Sequence, residues 1–300
     1  MLTRKVAGTG LLLRPLATLS WSGGALLLSS GLAIRSTSFS GSWSEPLRVL
    51  AAAVVIQGWL SHSLNDRTDW QTGTDCQANE FFSGGSGVLR LGLFSVNELS
   101  IVAITSLLLL SSIVWVPNVA RNAWLFLAVG LWGAIAYSCR PWRLSYRPWL
   151  GEWLAAFPAV TACGLAAFQV LAQRLVPAAV VGAGLHGLLC VCWLMQHHLP
   201  DWWRDLQAHP PKRTTIAWLA QRFGLPRARR LVVGYWLFTA VAAALGSLVS
   251  SRFIWTALIA LGGAWLAFAQ DVFDRKRVAL RELQMVGLSL LNAVLVGWII

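Results

Sequence analysis

The acidic residues of this chain are few and gathered. Twelve Asp and Glu stand among 300 residues, and most fall in three short stretches. The first reads Asn65-Asp66-Arg67-Thr68-Asp69-Trp70-Gln71-Thr72-Gly73-Thr74-Asp75, with Glu80 following. Asp66 and Asp69 are three apart, so a helix sets them on one face. Asp75 lies about half a turn off that face at 100° per residue. It rejoins the pair only if the helix breaks, and Gly73 is suited to the break. The second stretch is Pro200-Asp201-Trp202-Trp203-Arg204-Asp205, whose carboxylates stack four apart. Pro210-Pro211 ends that segment and Lys212-Arg213-Thr214 follows. Clustered carboxylates repel unless a cation lies between them. Mg²⁺ takes one or two carboxylates and completes its octahedron with water and substrate phosphate. Lys and Arg neutralise what phosphate charge remains. Two Asp clusters beside basic residues therefore point to a Mg²⁺–diphosphate site. The third stretch, Asp271-Val272-Phe273-Asp274, imitates such a motif, but its expected role is a helix cap with loop pairing.

These residues need elements to hold them, and composition says which. The chain is 56% hydrophobic and 12% charged, with mean hydropathy +0.61. A soluble domain carries about 25% charged residues, so lipid is the expected solvent. Nine apolar stretches are long enough to read as membrane helices, near 16–34, 46–64, 95–116, 122–138, 153–173, 177–197, 231–249, 253–270 and 283–300. Helices are the only structure that satisfies backbone groups in runs of this length. The expected fold is all-α, a polytopic bundle of about nine helices around a central cavity, with 1–300 as one domain.

The net charge of +12 resembles a nucleic-acid signal until it is mapped. The basic residues sit in clusters between apolar runs, so no nucleic-acid partner is expected. With the N-terminus in the cytoplasm, 19 of the 24 Lys and Arg fall on that side and 5, including Arg121, on the other. This agrees with the positive-inside rule, and all three Asp stretches share the cytoplasmic side. Many of the 18 Trp, among them Trp59, Trp115, Trp142, Trp149, Trp153, Trp202 and Trp203, lie near the ends of apolar runs, as interfacial belts require. The five Cys show no metal-ligand spacing, and Cys190 and Cys192 read as core. The basic start (Arg4, Lys5, Arg14) with a long apolar run past Pro15 reads as a first membrane helix rather than a cleaved signal peptide. His186, inside an apolar run, reads as a packed histidine. His62, one turn before Asp66, reads as a minor candidate for substrate contact.

Taken in order, these motifs resemble the UbiA superfamily of intramembrane prenyltransferases. Asn65, Asp66, Asp69 and Asp75 match the family's first motif. Phe82-Ser83-Gly84-Gly85-Ser86-Gly87-Val88-Leu89 is similar to the stretch that follows it in one branch. Tyr137-Ser138, Pro141, Arg143-Leu144-Ser145-Tyr146-Arg147 and Gly151-Glu152 resemble the loop between the fourth and fifth helices. Leu199-Pro200-Asp201, Asp205 and Lys212-Arg213-Thr214 resemble the second motif, and Arg14-Pro15 fits ahead of the first span. Gly73 before Asp75, with Arg143–Arg147, is similar to the 1,4-dihydroxy-2-naphthoate polyprenyltransferase branch of menaquinone biosynthesis. Gln196-His197-His198 and Trp202-Trp203 depart from that branch and bear on the acceptor.

The resemblance implies Mg²⁺-dependent transfer from a polyprenyl diphosphate to an aromatic acceptor in a bilayer, with the site at the cytoplasmic face of a bacterial inner membrane. It implies Asp66, Asp69, Asp75, Asp201 and Asp205 as metal ligands. Asn65, Arg143, Arg147, Lys212, Arg213, Tyr137 and Tyr146 are implied as substrate contacts. Acceptors such as 4-hydroxybenzoate, homogentisate, a tetrapyrrole or a glycerol-phosphate lipid remain open. A transporter is the rival outside this chemistry, but it has no need of two Asp clusters on one side, and no broken helices recur in two halves.

Overall fold

The computed structural model describes residues 2–36, 43–76, 84–114 and 123–300. Trp115, Arg121, Glu80, Phe82 and Ser83 lie outside them. The described residues form helices and loops without strands. A short helix α1 (Leu2–Leu12) precedes α2 (Pro15–Ser36) and α3 (Ser44–Thr72). Then come α4 (Val96–Val114), α5 (Ala123–Ser138), α6 (Gly151–Ala172) and α7 (Pro177–His197). Two surface helices follow, α8 (Trp202–Gln207) and α9 (Thr215–Phe223), and then α10 (Leu225–Gly246), α11 (Phe253–Phe268) and α12 (Arg275–Ile299). Each of the nine expected stretches contains a helix, with loop or turn residues at the ends of several, such as Ser95, Gln173 and residues 247–249. Seven have the length and hydropathy of a membrane span, whereas α5 and α11 are apolar but shorter. The chain is thus an integral membrane helix bundle.

The helices close into a ring. α5 packs on α6, α6 on α7, α7 on α10, α10 on α11 and α11 on α12, and α2 packs against both α6 and α12. Small residues set these crossings, as they do where lipid supplies no hydrophobic drive. Gly31 of α2 meets the backbone of Gly297, and a Cβ there would collide with it. Gly263 of α11 receives the ring of Trp236 in the same way. The outward faces carry large apolar residues such as Ile104, Leu108, Phe238 and Trp265, all exposed as a lipid-facing surface requires. α7 is the inner helix, buried along most of its length from Leu185 to Gln196.

Several elements run past their apolar stretches. α3 continues through Asp66 and Asp69 to Thr72. α10 starts at Leu225, with Pro226 in its first turn, so Arg227, Arg229 and Arg230 are helical. α12 starts at Arg275, and Asp274 caps it by accepting from the Arg277 N–H at 3.1 Å. Asp271 Oδ1 accepts from the Phe273 N–H at 3.0 Å, so the third Asp stretch is the cap and loop its sequence suggests. His186 is fully buried with Nε2 3.0 Å from the Ser20 carbonyl, a packed histidine.

Candidate active site

The end of α3 builds the first half of the site. Gly73 ends the helix at φ 88°, and the reversal brings the Asp75 N–H to 3.4 Å from the Asp69 carbonyl. The break expected at Gly73 is therefore present, and Asp75 turns back toward the helical pair. Asp66 and Asp69 are both 3% exposed, so each charge needs partners. Arg14, at the start of α2, pairs with Asp66 Oδ1. Ser86 donates to Asp66 Oδ2 through its hydroxyl and, at 3.1 Å, through its N–H. Asp69 accepts from Asn65 Nδ2 at 2.6 Å, Lys212 Nζ at 2.6 Å and the Tyr146 hydroxyl at 2.9 Å.

The second half comes from the turn after α7 and from α8. Asp201 stands at the start of α8 and Asp205 within it, and both are buried. The Gly84 N–H donates to Asp201 Oδ2 at 2.9 Å, while Ser86 of the same loop holds Asp66. One glycine-rich turn thus binds both clusters. Gly85 lies between them: a Cβ there would collide with Asp75 Oδ2 and come within 3.1 Å of Asp66 Oδ1. The Lys212 N–H donates to the Asp205 carbonyl at 2.7 Å while its Nζ reaches Asp69, and the His209 N–H donates to the Thr72 carbonyl at 2.8 Å. Stretches about 130 residues apart in sequence therefore meet at one end of the bundle.

Burial sets the electrostatics here. It pushes the Asp75 carboxyl up to about 7, with Asp69 and Asp66 adding like charge. It pushes Asp205 up to about 8. Burial alone would lower Lys212, but Asp69 and Asp205 outweigh it and hold the ammonium well above its ordinary value. Burial also raises the Tyr146 phenol, which stays a donor to Asp69.

These groups cap a cavity of about 590 Å³. Its polar end carries Arg14, Asn65, Asp69, Asp75, Asp201, Asp205 and Lys212. Its deeper wall carries Ala53, Ile56, Phe126, Leu127, Gly130, Gly133, Ala134, Ala156 and Val160. Tyr137, His62 and Arg90 also line it. Arg143 is half-buried over the Tyr146 ring, with its guanidinium carbon 5.2 Å from the ring centroid. Arg147 and Arg213 are exposed. None of these three arginines is among the cavity-lining residues.

Among the described residues no three His, Cys, Asp or Glu side chains group as a complete metal site. The donor set nevertheless suits a hard cation shared with a phosphate, because Mg²⁺ leaves most of its shell to water and phosphate. Asp75 Oδ2 is buried with no hydrogen-bond partner among the described residues. Asp201 Oδ1 is likewise without a hydrogen bond and is 3.0 Å from Arg204 Nη2 in an ion pair. Asp75 Oδ2 thus keeps lone pairs that no described donor uses.

No protein-family model matches the sequence, and no curated protein matches it significantly. Solved structures do match. That of a UbiA homologue from Archaeoglobus fulgidus bound to GPP and Mg²⁺ aligns with TM-score 0.68 and 16% identity, over 96% of this chain and 99% of that one. The same homologue bound to DMAPP and Mg²⁺ gives 0.65 at 15% identity, over 95% and 98%. A structure of digeranylgeranylglyceryl phosphate synthase gives 0.62 at 13% identity, over 98% of each chain. This chain has the UbiA fold. Within that fold, the glycine-rich turn at Gly84–Gly87 and the partners Arg14, Ser86 and Arg204 were not among the residues the sequence marked as the site. Arg14-Pro15 and the Gly84–Gly87 turn lay in the quoted resemblance, and only contacts gave them their place.

Proposed function

We propose that the chain is a Mg²⁺-dependent prenyltransferase that moves a polyprenyl group from its diphosphate to an aromatic acceptor. The carrying observation is the cavity: one end closed by two carboxylate clusters with Lys212 and Arg14, and an apolar wall from α3, α5 and α6 beside it. A polyprenyl diphosphate has that same division. Its head suits the polar end and its tail the wall between α3, α5 and α6. The GPP- and DMAPP-bound UbiA homologue of the same fold supports the class of donor.

Asp66, Asp69, Asp75, Asp201 and Asp205 would hold Mg²⁺ against the diphosphate. The ion, when bound, neutralises charge growing on the leaving group. Lys212 and Arg14 add fixed positive charge at the same place, with no reorganisation needed as the C–O bond lengthens. Tyr146 and Asn65 fix the Asp69 carboxylate. The apolar wall keeps water from the allylic cation, so that an electron-rich ring carbon captures it. Arg143, Arg147 and Arg213, outside the lining, would act only on a diphosphate or carboxylate reaching the rim.

The acceptor we propose is 1,4-dihydroxy-2-naphthoate, on the strength of the Gly73–Asp75 and Arg143–Arg147 resemblance, with carbon dioxide lost as the prenyl group is joined. The setting is the bacterial inner membrane with the N-terminus and the Asp clusters cytoplasmic, supported by the charge asymmetry. The test is acceptor profiling of purified protein with labelled prenyl diphosphate and Mg²⁺, read by mass spectrometry. A prenylated, decarboxylated naphthoate product is expected. Product from 4-hydroxybenzoate alone would remove the naphthoate assignment, and no diphosphate release with any acceptor would favour a carrier.

A further inference from the structure

His197 closes α7 and Glu282 sits in the second turn of the α12 segment facing it. His197 Nδ1 and Glu282 Oε1 are 2.9 Å apart. Both side chains line the same cavity as Asp69 and Lys212. Glu282 is 6% exposed, and its second oxygen, Oε2, is buried with no hydrogen-bond partner among the described residues. His198, 9% exposed, likewise has a buried Nδ1 without a partner and lines the cavity. With Nδ1 held by Glu282, Nε2 is the His197 ring nitrogen left to meet a ligand. The two orphan atoms, Glu282 Oε2 and His198 Nδ1, sit on side chains that line the cavity, so their free hydrogen-bonding capacity lies where a ligand would bind. A structural link between α7 and α12 already exists one residue earlier, where the fully buried Gln196 donates to Gln270 Oε1 at 2.7 Å and to the Val278 carbonyl at 3.0 Å. The His197–Glu282 pair is thus a second, cavity-facing link with bonding capacity to spare.

The charge of this wall says what it receives. A carboxylate with an unused lone pair repels a diphosphate and accepts an O–H. The Trp21–Trp193 pair, ring centroids 5.5 Å apart, lines the same cavity and offers apolar ring surface. The ligand class is an aromatic ring carrying a hydroxyl. We propose that His197 and Glu282 form the acceptor-hydroxyl subsite, with His197 Nε2 receiving the hydroxyl proton and Glu282 fixing the imidazole. This rests on the prenyltransferase reading and names the residues on its acceptor side.

The step balances as follows. The hydroxyl proton passes to His197 Nε2, and the oxygen's electron pair is pushed through the ring. The ring carbon forms a bond to the allylic carbon of the donor. The allylic C–O bond breaks, and its pair leaves with the diphosphate. For a carboxylated acceptor, carbon dioxide then departs, its bonding pair restores the aromatic ring, and the oxygen recovers the proton from His197.

The experiment uses the full chain, Mg²⁺, a reactive prenyl diphosphate as donor for the kinetics, its non-hydrolysable thiolodiphosphate as the probe of donor binding, and dihydroxynaphthoate with its hydroxyl-methylated ether as acceptors. His197→Asn is expected to lower kcat/KM for the acceptor by about 100-fold, as loss of a positioned general base does. The donor probe's Kd is expected to stay unchanged, and the methyl ether to react equally poorly with wild type and variant. Glu282→Gln, which keeps the shape, is expected to lower the acceptor's kcat/KM by about 10-fold; it carries the test alone should His197→Asn fail to fold. Unchanged acceptor kinetics in a folded variant, or a matching loss of donor binding, overturns the subsite while leaving the prenyltransferase reading intact. A wild-type protein that turns over no donor overturns both.

Discussion

Asp69 accepts from three donors at once: Asn65, Lys212 and Tyr146. A buried carboxylate so held depends on its one cation. Lys212→Met leaves Asp69 buried and unpaired, a change that costs about 3–5 kcal/mol when a buried pair is broken. A large fall in the thermal midpoint and loss of turnover are expected together; a variant that melts like wild type would contradict the pairing. The raised carboxyls give a second prediction. Asp75 near 7 and Asp205 near 8 are acids whose folded values lie above their unfolded ones. Their ionisation therefore weakens the metal-free fold as pH rises through those values. A cation requires the ionised form, so binding of Mn²⁺ in place of Mg²⁺ should strengthen from pH 6 to 8.5 and release protons. Calorimetry at pH 7 in two buffers of different ionisation heat measures that release, and its absence would contradict the assignment. At this scale the sequence was informative about residue type. Asp66, Asp69, Asp75, Asp201, Asp205 and Lys212 are recognisable by spacing, whereas Arg14 and Ser86 become site residues only through contacts with Asp66.

Elements aim those residues. Nothing lies within 4 Å of a Cβ added at Gly73, yet its φ is 88°. Gly73→Ala therefore tests backbone alone. Holding an L-residue in that conformation costs about 1–2 kcal/mol, and the easiest relief is to re-aim the Asp75 turn. A metal-affinity loss larger than the change in thermal midpoint is expected; equal losses would mean the turn does not aim the ligand. Gly85→Ala acts by collision instead, pressing on Asp75 and Asp66, and should abolish metal binding in a protein that still inserts and folds. Gel filtration with metal titration checks both. Helix existence was legible because apolar runs of about 20 residues have one outcome in lipid. Helix ends were not. The apolar pattern stops at residue 64, but α3 continues to Thr72, because its polar last turns are paid for by Arg14, Lys212 and Tyr146 rather than by lipid. α10 begins six residues before its apolar stretch, since Arg227, Arg229 and Arg230 reach the interface with their charges while their backbone stays helical. Helices α8 and α9, which carry Asp205 and flank Lys212, are too short and polar for that pattern to reveal.

At the scale of the whole molecule, what sequence could not give was distance. Nothing in the spacing of residues 84 and 201 says that a glycine N–H of one touches the carboxylate of the other, yet that 2.9 Å contact joins the two Asp clusters. The ring of helices does this by setting α2 against both α3 and α7 and closing α12 on α2, so both clusters meet over one cavity. The claim that follows is that a single divalent ion site needs both halves. The direct measurement is Mn²⁺ affinity, by electron paramagnetic resonance, in the presence of a prenyl thiolodiphosphate, for wild type, Asp69→Asn and Asp201→Asn. Each substitution alone should weaken Mn²⁺ binding about tenfold or more. Full affinity in either variant would contradict a shared site.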